Sequence, residues 1–476
     1  MTLEEGIVAA YLAACVAIGL IAARRVLTSN DEYWVAGRRI GPGVNAIAIM
    51  ATLASGGSIV GVMGLAYARG LPATLALFAG AVVGFPLAAL LVARPLRNFG
   101  RYTITDFLAW RFPSPIVRLG VPVLIVVAFT IYVVAQLKAA GVTAQVLLGW
   151  DYDTALWVST LVFVAYVSVG GMLAITWTDV VQGALMMLLV LGAAALLLAD
   201  EGGLALTRAA TQAPALGAAG GGALATQLGS FVIWAAAIPV IPHVVMRVYT
   251  ARDARGARLS LNLAMVAYSV IILAAVLVIV PIGRLEFPAL TDADSVFHRV
   301  IEAHFPPLVR GLAVAAVIAA VMSTTDALLL ACSSAIAHDL IEQHTRRPLS
   351  AKALGRINVA VVWLVGAVAM WLARDPPALL TELYSAAVGV LAAGLFIPLV
   401  AGIWWRRANR LGGAAAFVTG AGVYLALQLG GGDLVPPLSA ILFALPASAL
   451  AMWIGGRLGA PERDATLAAV EALHRD

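Results

Sequence analysis

Hydroxyl groups and a carboxylate stand side by side in one apolar stretch of the chain, in the run Ser323-Thr-Thr-Asp326. A single hydroxyl in such a stretch usually bonds back to its own helix. A carboxylate at that depth, however, needs a partner or an ion, so Asp326 favours a binding role. Hydroxyl and carbonyl oxygens suit a hard cation without demanding a divalent charge. The run therefore indicates a site for a monovalent cation.

A second source of oxygen ligands is the run Ala51-Thr-Leu-Ala-Ser-Gly-Gly-Ser58. Two adjacent glycines between serines make a poor helix and favour a break at which backbone carbonyls turn inward. Small residues also serve as an ordinary helix-packing site. Taken alone, the run supports both interpretations equally.

Asp179 and Lys138 are charged residues in or beside apolar stretches. On structural grounds alone, Asp179 would cap the N-terminus of a helix after a tight hairpin. Lys138, one of two lysines in the chain, lies deep within its stretch, where simple snorkelling to the interface is difficult. It is predicted either to pair with Asp326 on a neighbouring helix or to face a cavity and attract an anionic solute.

The elements that position these residues are predicted to be membrane-spanning helices. Hydrophobic residues make up 62% of the 476 residues and charged residues 12%, with a mean hydropathy of +0.97. A soluble domain of this composition could not cover its surface with polar groups. Stretches long enough to cross about 30 Å of hydrocarbon fall near 7–23, 43–69, 72–93, 119–148, 154–175, 179–199, 225–247, 259–283, 308–336, 355–374, 378–404, 412–429 and 436–457. These predict thirteen transmembrane helices in one all-α domain, residues 1–457.

The arginines predict the direction of these helices. Most of them fall between alternate stretches, so the N-terminus is expected outside and the C-terminus inside the cell. The first stretch is not expected to be a cleavable signal, because Glu4 and Glu5 precede it where a signal peptide is basic. Residues 458–476 are expected to form a short cytoplasmic tail with no room for a signalling kinase.

Several classes of function are excluded by the sequence. The net charge of +5 comes from short basic clusters between apolar stretches, so no nucleic-acid partner is expected. Cys15 and Cys332 lie apart in apolar runs, without metal-ligand spacing. Neither a nucleophile–base pair nor a phosphate loop is evident, so neither an enzyme nor an organic cofactor is expected. His243 and His338 are read as lone, structural residues.

The chain resembles the sodium/solute symporter family, whose members carry proline, pantothenate, monocarboxylates, sugars and iodide. The resemblance rests on the order and spacing of runs from about residue 30 to 407, which are Tyr33-Trp-Val-Ala-Gly-Arg-Arg-Ile-Gly-Pro42, Thr103-Ile-Thr-Asp-Phe-Leu-Ala-Trp-Arg-Phe112, Gly170-Gly-Met-Leu-Ala-Ile-Thr-Trp-Thr-Asp-Val-Val-Gln182, Ile241-Pro-His-Val-Val-Met-Arg247 and Ala319-Ala-Val-Met-Ser-Thr-Thr-Asp326. It implies the inverted-repeat fold of the bacterial leucine transporter, with five-helix repeats at 43–199 and 225–404.

The resemblance also implies a set of site residues. The coupling sodium would be held by the backbone carbonyls of Ala51, Ala54 and Ala320 and by the hydroxyls of Ser323 and Thr324. Asp179 matches an acid used for a second ion or its exit path, and Arg38 matches an arginine that gates the cytoplasmic mouth. The implied solute-lining residues are Ser55, Gly56, Gln136, Trp234, Ile238, Pro242 and Tyr384.

The implied function is sodium-coupled import of a small organic solute by alternating access, across a bacterial inner membrane. Proline carriers of the family have an aspartate where this chain has Leu53, whereas Ala135-Gln136 is more similar to the pantothenate and monocarboxylate branches. A monocarboxylate or pantothenate-like anion is therefore the expected solute. A proton-coupled carrier, a proline-like amino-acid symporter and a transporter-like sensor are the alternatives. The sequence identifies neither the solute nor the sodium stoichiometry and oligomeric state.

Overall fold

The computed structural model describes residues 2–26, 30–168, 171–212, 221–345, 349–375, 379–430 and 434–475. All regular secondary structure in these ranges is helical, as the composition predicts. The long helices are α1 (Leu3–Val26), α2a (Pro42–Leu53), α2b (Gly57–Arg69), α3 (Leu71–Leu91), α4 (Pro115–Leu148), α5 (Tyr152–Val167), α6 (Met172–Gln212), α7a (Gly221–Ala237), α7b (Pro242–Thr250), α8 (Ala254–Glu286), α9 (Pro307–Glu342), α10 (Ala351–Leu372), α11 (Leu380–Trp404), α12 (Arg410–Leu429) and α13 (Ile441–Leu458). Short helices include Asn30–Val35, Ala93–Phe99, Ile104–Arg111, Val296–His304 and Asp464–Ala472.

Ten helices in the described ranges are long and apolar enough to cross a membrane, and α2a with α2b would make an eleventh. The apolar part of α5, Tyr152–Ala165, is shorter. An integral membrane protein is therefore confirmed. The count of thirteen spans, the direction of the termini and the repeat boundaries stay predictions.

Several helices begin earlier than their apolar stretches. Ser114 accepts a hydrogen bond from the Ile116 amide at 3.2 Å, so α4 begins at Pro115 and not at 119. Ser350 caps α10 in the same way. Hydropathy marks the part of a helix that meets hydrocarbon, whereas capping side chains determine where the helix begins.

The most buried helix is α9, which packs against α1, α2a, α4, α6 and α10. In the most apolar 18 residues of α9, 94% are buried inside the protein, compared with 44% in α3 and 28% in α13. Alanines such as Ala319 and Ala320 keep it narrow, so that neighbouring backbones approach closely. The hydroxyl run of α9 is thereby placed at the centre of the bundle.

Of the two interpretations of the glycine pair, the structure shows the break, and α2a and α2b meet at an angle of 58°. A Cβ atom at Gly57 would lie 2.6 Å from the Tyr384 ring, and one at Gly56 would lie 2.6 Å from Val321. No side chain fits at such distances. Glycine is therefore required here because α4, α9 and α11 press against the break.

The predicted orientation can be tested with topology reporters. We expect a C-terminal green fluorescent protein fusion to fluoresce in bacterial cells, because the C-terminus is predicted inside. Alkaline phosphatase inserted after Leu290, between α8 and α9, should be active because that loop is predicted outside. The opposite pattern of activities would reverse the orientation.

Candidate cation and solute site

Two hydroxyls of α9 contact the carbonyls at the broken end of α2a. Ser323 Oγ donates to the Ala51 carbonyl at 2.9 Å, and Thr324 Oγ1 donates to the Thr52 carbonyl at 2.8 Å. Both hydroxyls also lie 3.1 Å from the Ala320 carbonyl of their own helix. All five residues are buried. The structure thus brings five oxygen atoms from two helices together.

The last carbonyls of α2a would otherwise lack partners, because a helix end leaves four of them unpaired. Besides the two contacts to α9, the Met50 carbonyl accepts from the Ala54 amide, and the Leu53 carbonyl accepts from Ser58 Oγ at 2.7 Å. A carbonyl oxygen has two lone pairs, so those facing α9 can also bind a cation. The predicted ligands Ala51, Ala320, Ser323 and Thr324 lie together. Sequence reasoning missed Thr52, and a ligand role for Ala54 stays a prediction.

Asp179 lies inside α6 rather than at a helix N-terminus, so its interpretation as a cap is wrong. Helix α5 ends at Val167 and α6 begins at Met172, so both boundaries precede residue 175, where the predicted apolar stretch ends. The buried carboxylate forms an ion pair with Arg247 of α7b and accepts a hydrogen bond from Thr52 Oγ1 at 3.3 Å. Arg247 also donates to Thr176 Oγ1 at 2.5 Å. Asp179 is therefore linked through Thr52 to the oxygen cluster.

The predicted pairing of Lys138 with Asp326 is wrong. The Lys138 ammonium lies 3.1 Å from Oδ2 of Asp294, in the turn before helix Val296–His304, and both side chains are buried. Asp294 also accepts from the Leu380 amide at 3.1 Å, and burial raises its pKa to about 6 although Lys138 acts to lower it. Asp326 is instead buried within α9, away from this pair. The long lysine side chain reaches a turn 156 residues away in sequence.

Four of the seven predicted lining residues, Ser55, Gly56, Gln136 and Tyr384, lie at the break in the second helix, and Trp234 packs against one of them. Gln136 Oε1 accepts from the Gly56 amide at 3.1 Å, and Ser55 Oγ accepts from the Ser58 amide at 3.1 Å. Tyr384 meets Trp234 edge to face, with ring centroids 5.7 Å apart. By contrast, Ile238 packs on Gly84 of α3, and Pro242 begins α7b.

A cavity lies near Trp234 and Tyr384, at the end of the bundle that is predicted to face outside. This cavity, of about 340 Å³, is lined by Ser230, Thr381 and an ion pair between Arg69 and Glu382. Ser230 lies one helical turn from Trp234 in α7a, as Thr381 does from Tyr384 in α11. The two buried aromatic side chains therefore lie about one helical turn from residues that line the cavity, and they are not part of its lining.

Arg38, the predicted gating residue, ties two loops together at the opposite end. Residues 36–38 all have left-handed φ angles, of 49°, 60° and 57°, which only Gly37 adopts without strain. The Arg38 guanidinium donates to the carbonyls of Gly100 and Arg101 at 2.8 and 3.3 Å, and it lies over the Tyr102 ring. A gating role for this contact stays a prediction.

Comparison with known proteins identifies relatives along nearly the whole chain. The model of the sodium:solute symporter family matches residues 33–420. The osmoregulated proline transporter OpuE of Bacillus subtilis is 29% identical over 87% of this chain and 86% of its own length. The sodium/pantothenate symporter of Escherichia coli is 27% identical over 96% of this chain and 97% of its own.

A solved structure of a Na⁺-coupled sialic acid symporter, in a substrate-bound outward-open state, has a similar fold. The TM-score is 0.80, with 17% identity, over 97% of this chain and 99% of that one. At this identity the similarity concerns the fold alone. It agrees with the inverted-repeat fold that the sequence resemblance implies.

The pair between Lys138 and Asp294 predicts a destabilising variant. Replacing Lys138 with methionine leaves the Asp294 carboxylate buried without this cation, which should cost about 3–5 kcal/mol of stability. Thermal unfolding of the purified protein should show a large fall for Lys138→Met. The double variant Lys138→Met with Asp294→Asn should recover much of the loss.

The exposed lysine of the chain, Lys352, provides the matched control, and Lys352→Met should leave the unfolding temperature unchanged. An equal fall in Lys138→Met and in the double variant would contradict the predicted cost of leaving the Asp294 carboxylate buried without its cation.

Proposed function

This chain belongs to the sodium:solute symporter family, and we propose that it imports a small carboxylate-bearing solute with sodium by alternating access. It is a sodium-coupled membrane transporter and not an enzyme. Within the proposal, the solute is a monocarboxylate or a pantothenate-like anion, and the membrane is a bacterial inner membrane.

The observation that carries the proposal is the contact of Ser323 and Thr324 with the carbonyls of α2a. A cation bound by these oxygens holds α9 against the broken helix. Coupling requires that the ion stabilise the conformation that binds solute, so its ligands must come from elements whose relative position changes during transport. Ligands on α2a and α9 meet that requirement. Entry of a sodium ion then releases free energy from the membrane potential, about 2.3 kcal/mol per charge per 100 mV.

The solute would bind at the glycine break, next to this ion. Gln136 is fully buried, and its Nε2 group has no hydrogen-bond partner among the described residues. Its Oε1 is fixed by the Gly56 amide, so Nε2 can donate to a solute carboxylate. The N-terminal end of α2b begins at the same place and favours a negative group. Tyr384 and Trp234 would close this site from the outer cavity.

In this proposal Asp179 influences ion binding, and Arg38 holds the cytoplasmic gate. Asp179 is one hydrogen bond from Thr52, so ion binding at the carbonyls of α2a would alter the pair of Asp179 with Arg247. The carboxylate can thus serve a second ion or the exit path of the first. Arg38 would hold the cytoplasmic mouth closed through the carbonyls of Gly100 and Arg101.

A proline-like amino acid is the second candidate solute. OpuE and the sodium/proline symporter of Escherichia coli, which is 28% identical, bear names that favour it. Leu53 argues against it, because a cationic amino group would lack the aspartate that the resemblance associates with proline carriers. Both candidate solutes have a carboxylate, so both proposals have Gln136 Nε2 donating a hydrogen bond to it.

Removal of the Thr324 hydroxyl should weaken sodium binding. In Thr324→Ala, the sodium concentration for half-maximal uptake should rise at least tenfold, because a charged ligand contact of about 1.5–3 kcal/mol is lost. The measurement is solute uptake into proteoliposomes over a range of sodium concentrations. Thr325→Ala is the matched control, because among the described residues Thr325 Oγ1 bonds only to the Val321 carbonyl of its own helix, at 2.7 Å. An unchanged sodium dependence in Thr324→Ala would refute the assigned ion site.

Gln136 should determine recognition of the solute but not of sodium. Uptake of monocarboxylates, pantothenate and proline should be compared under a sodium gradient and under a proton gradient alone. In Gln136→Leu the KM of the accepted solute should rise at least tenfold, because a buried carboxylate loses its donor. The thermal shift produced by sodium alone should persist. Uptake driven equally by protons would reject sodium coupling, and an unchanged KM would remove Gln136 from the site.

A further inference from the structure

A cluster of carboxylates surrounds a histidine at the predicted cytoplasmic end of α9. One ligand atom each of Asp106, His338 and Asp339 lies within 4.8 Å of the other two. His338 and Asp339 belong to α9, whereas Asp106 belongs to helix Ile104–Arg111, which precedes α4. The cluster therefore joins the two predicted repeats at a place distant from the glycine break. The sequence suggested that His338 is a lone structural histidine. The structure shows that it contacts carboxylates instead.

Asp339 gives this cluster an unsatisfied ligand atom. The residue is 1% exposed, and its Oδ1 accepts from Thr103 Oγ1 at 2.9 Å. Its Oδ2 has no hydrogen-bond partner among the described residues. A buried carboxylate oxygen without a donor is costly, and a bound cation would remove that cost.

The imidazole of His338 is held as a metal ligand is usually held. Its Nδ1 contacts Glu342 Oε2 at 2.7 Å, and Glu342 is in turn fixed by the Leu349 amide at 2.6 Å. This leaves Nε2 directed at Asp106, 3.1 Å away. A carboxylate on the far nitrogen is the usual outer partner of a metal-binding histidine, since it fixes the ring orientation.

Asp106 also has a local structural role, which is compatible with binding a metal. Its Oδ2 accepts from the amides of Tyr102 and Thr103 at 3.1 and 3.2 Å, and so caps helix Ile104–Arg111. His338 Nε2 lies 3.1 Å from both carboxylate oxygens, and the Gln343 side-chain amide donates to the second one, Oδ1. A metal ion would take the place of the proton between His338 Nε2 and this oxygen, and it would leave the cap intact.

The geometry points to a site for a divalent transition metal ion of the Zn²⁺ class, bound by His338, Asp106 and Asp339. Zinc is bound about 2.0–2.2 Å from imidazole nitrogen and carboxylate oxygen, which places tetrahedral ligand atoms about 3.4 Å apart. The three ligand atoms, which lie within 4.8 Å of one another, would therefore close around the ion when it binds. Imidazole favours zinc over magnesium, calcium or sodium. An adjoining cavity of about 630 Å³, lined by Asp106, His338 and Gln343, gives an ion access from the aqueous side. A bound ion would tie α9 to the segment before α4.

The test is metal binding by the full-length protein after removal of any affinity tag. Equilibrium dialysis with Zn²⁺, followed by elemental analysis, should give one tightly bound ion per chain. A competition titration with a zinc-binding dye should show little displacement by excess Mg²⁺ or Ca²⁺. Asp339→Asn and His338→Ala should each weaken zinc binding at least tenfold, and Glu342→Gln should weaken it about 10–100-fold.

His304→Ala is the matched control. Among the described residues, His304 also contacts a carboxylate, with its Nε2 2.8 Å from Glu286. We expect no zinc to bind at that contact. Zinc affinity should therefore be unchanged in His304→Ala. Absence of saturable zinc binding by the wild-type protein, or wild-type affinity in both Asp339→Asn and His338→Ala, would overturn the site. Because this test measures binding alone, its outcome is independent of the transported solute.

Discussion

Carbonyl groups at the end of a broken helix must find new partners when the surrounding bundle excludes water. In this protein the partners of Ala51 and Thr52 are the hydroxyls of Ser323 and Thr324 on the central helix α9. The break and the hydroxyl run therefore stabilise each other. The glycines at the break allow α4, α9 and α11 to approach, so the packing of the bundle depends on the same contact.

Buried ion pairs extend this contact to other elements. Asp179 and Arg247 join α6 to α7b, and the hydrogen bond from Thr52 connects that pair to α2a. Lys138 and Asp294 join α4 to the turn before α9. Each charge would be costly alone at this depth, so each pair fixes the distance between two elements. A rearrangement during transport must move these pairs together or break them.

Polar contacts at both ends of the bundle lie between elements that alternating access would separate. On one side Arg69 and Glu382 line the cavity above Trp234 and Tyr384. On the other side, Arg38 binds the loop after helix Ala93–Phe99. The cluster of Asp106, His338 and Asp339 connects α9 with helix Ile104–Arg111. The sodium oxygens, in the proposed function, lie between these two sets of contacts.

The sequence by itself determined the all-helical membrane class, the family and most of the residues at the break. The apolar lengths are local features that the membrane environment makes informative, whereas the residues at the break followed from the family resemblance, because the glycine pair alone supported two interpretations. Partners distant in sequence were decided only by the tertiary structure. Asp294 as the partner of Lys138, Arg247 as the partner of Asp179, and the joining of Asp106 to His338 all depend on how helices pack, and no local spacing encodes that packing.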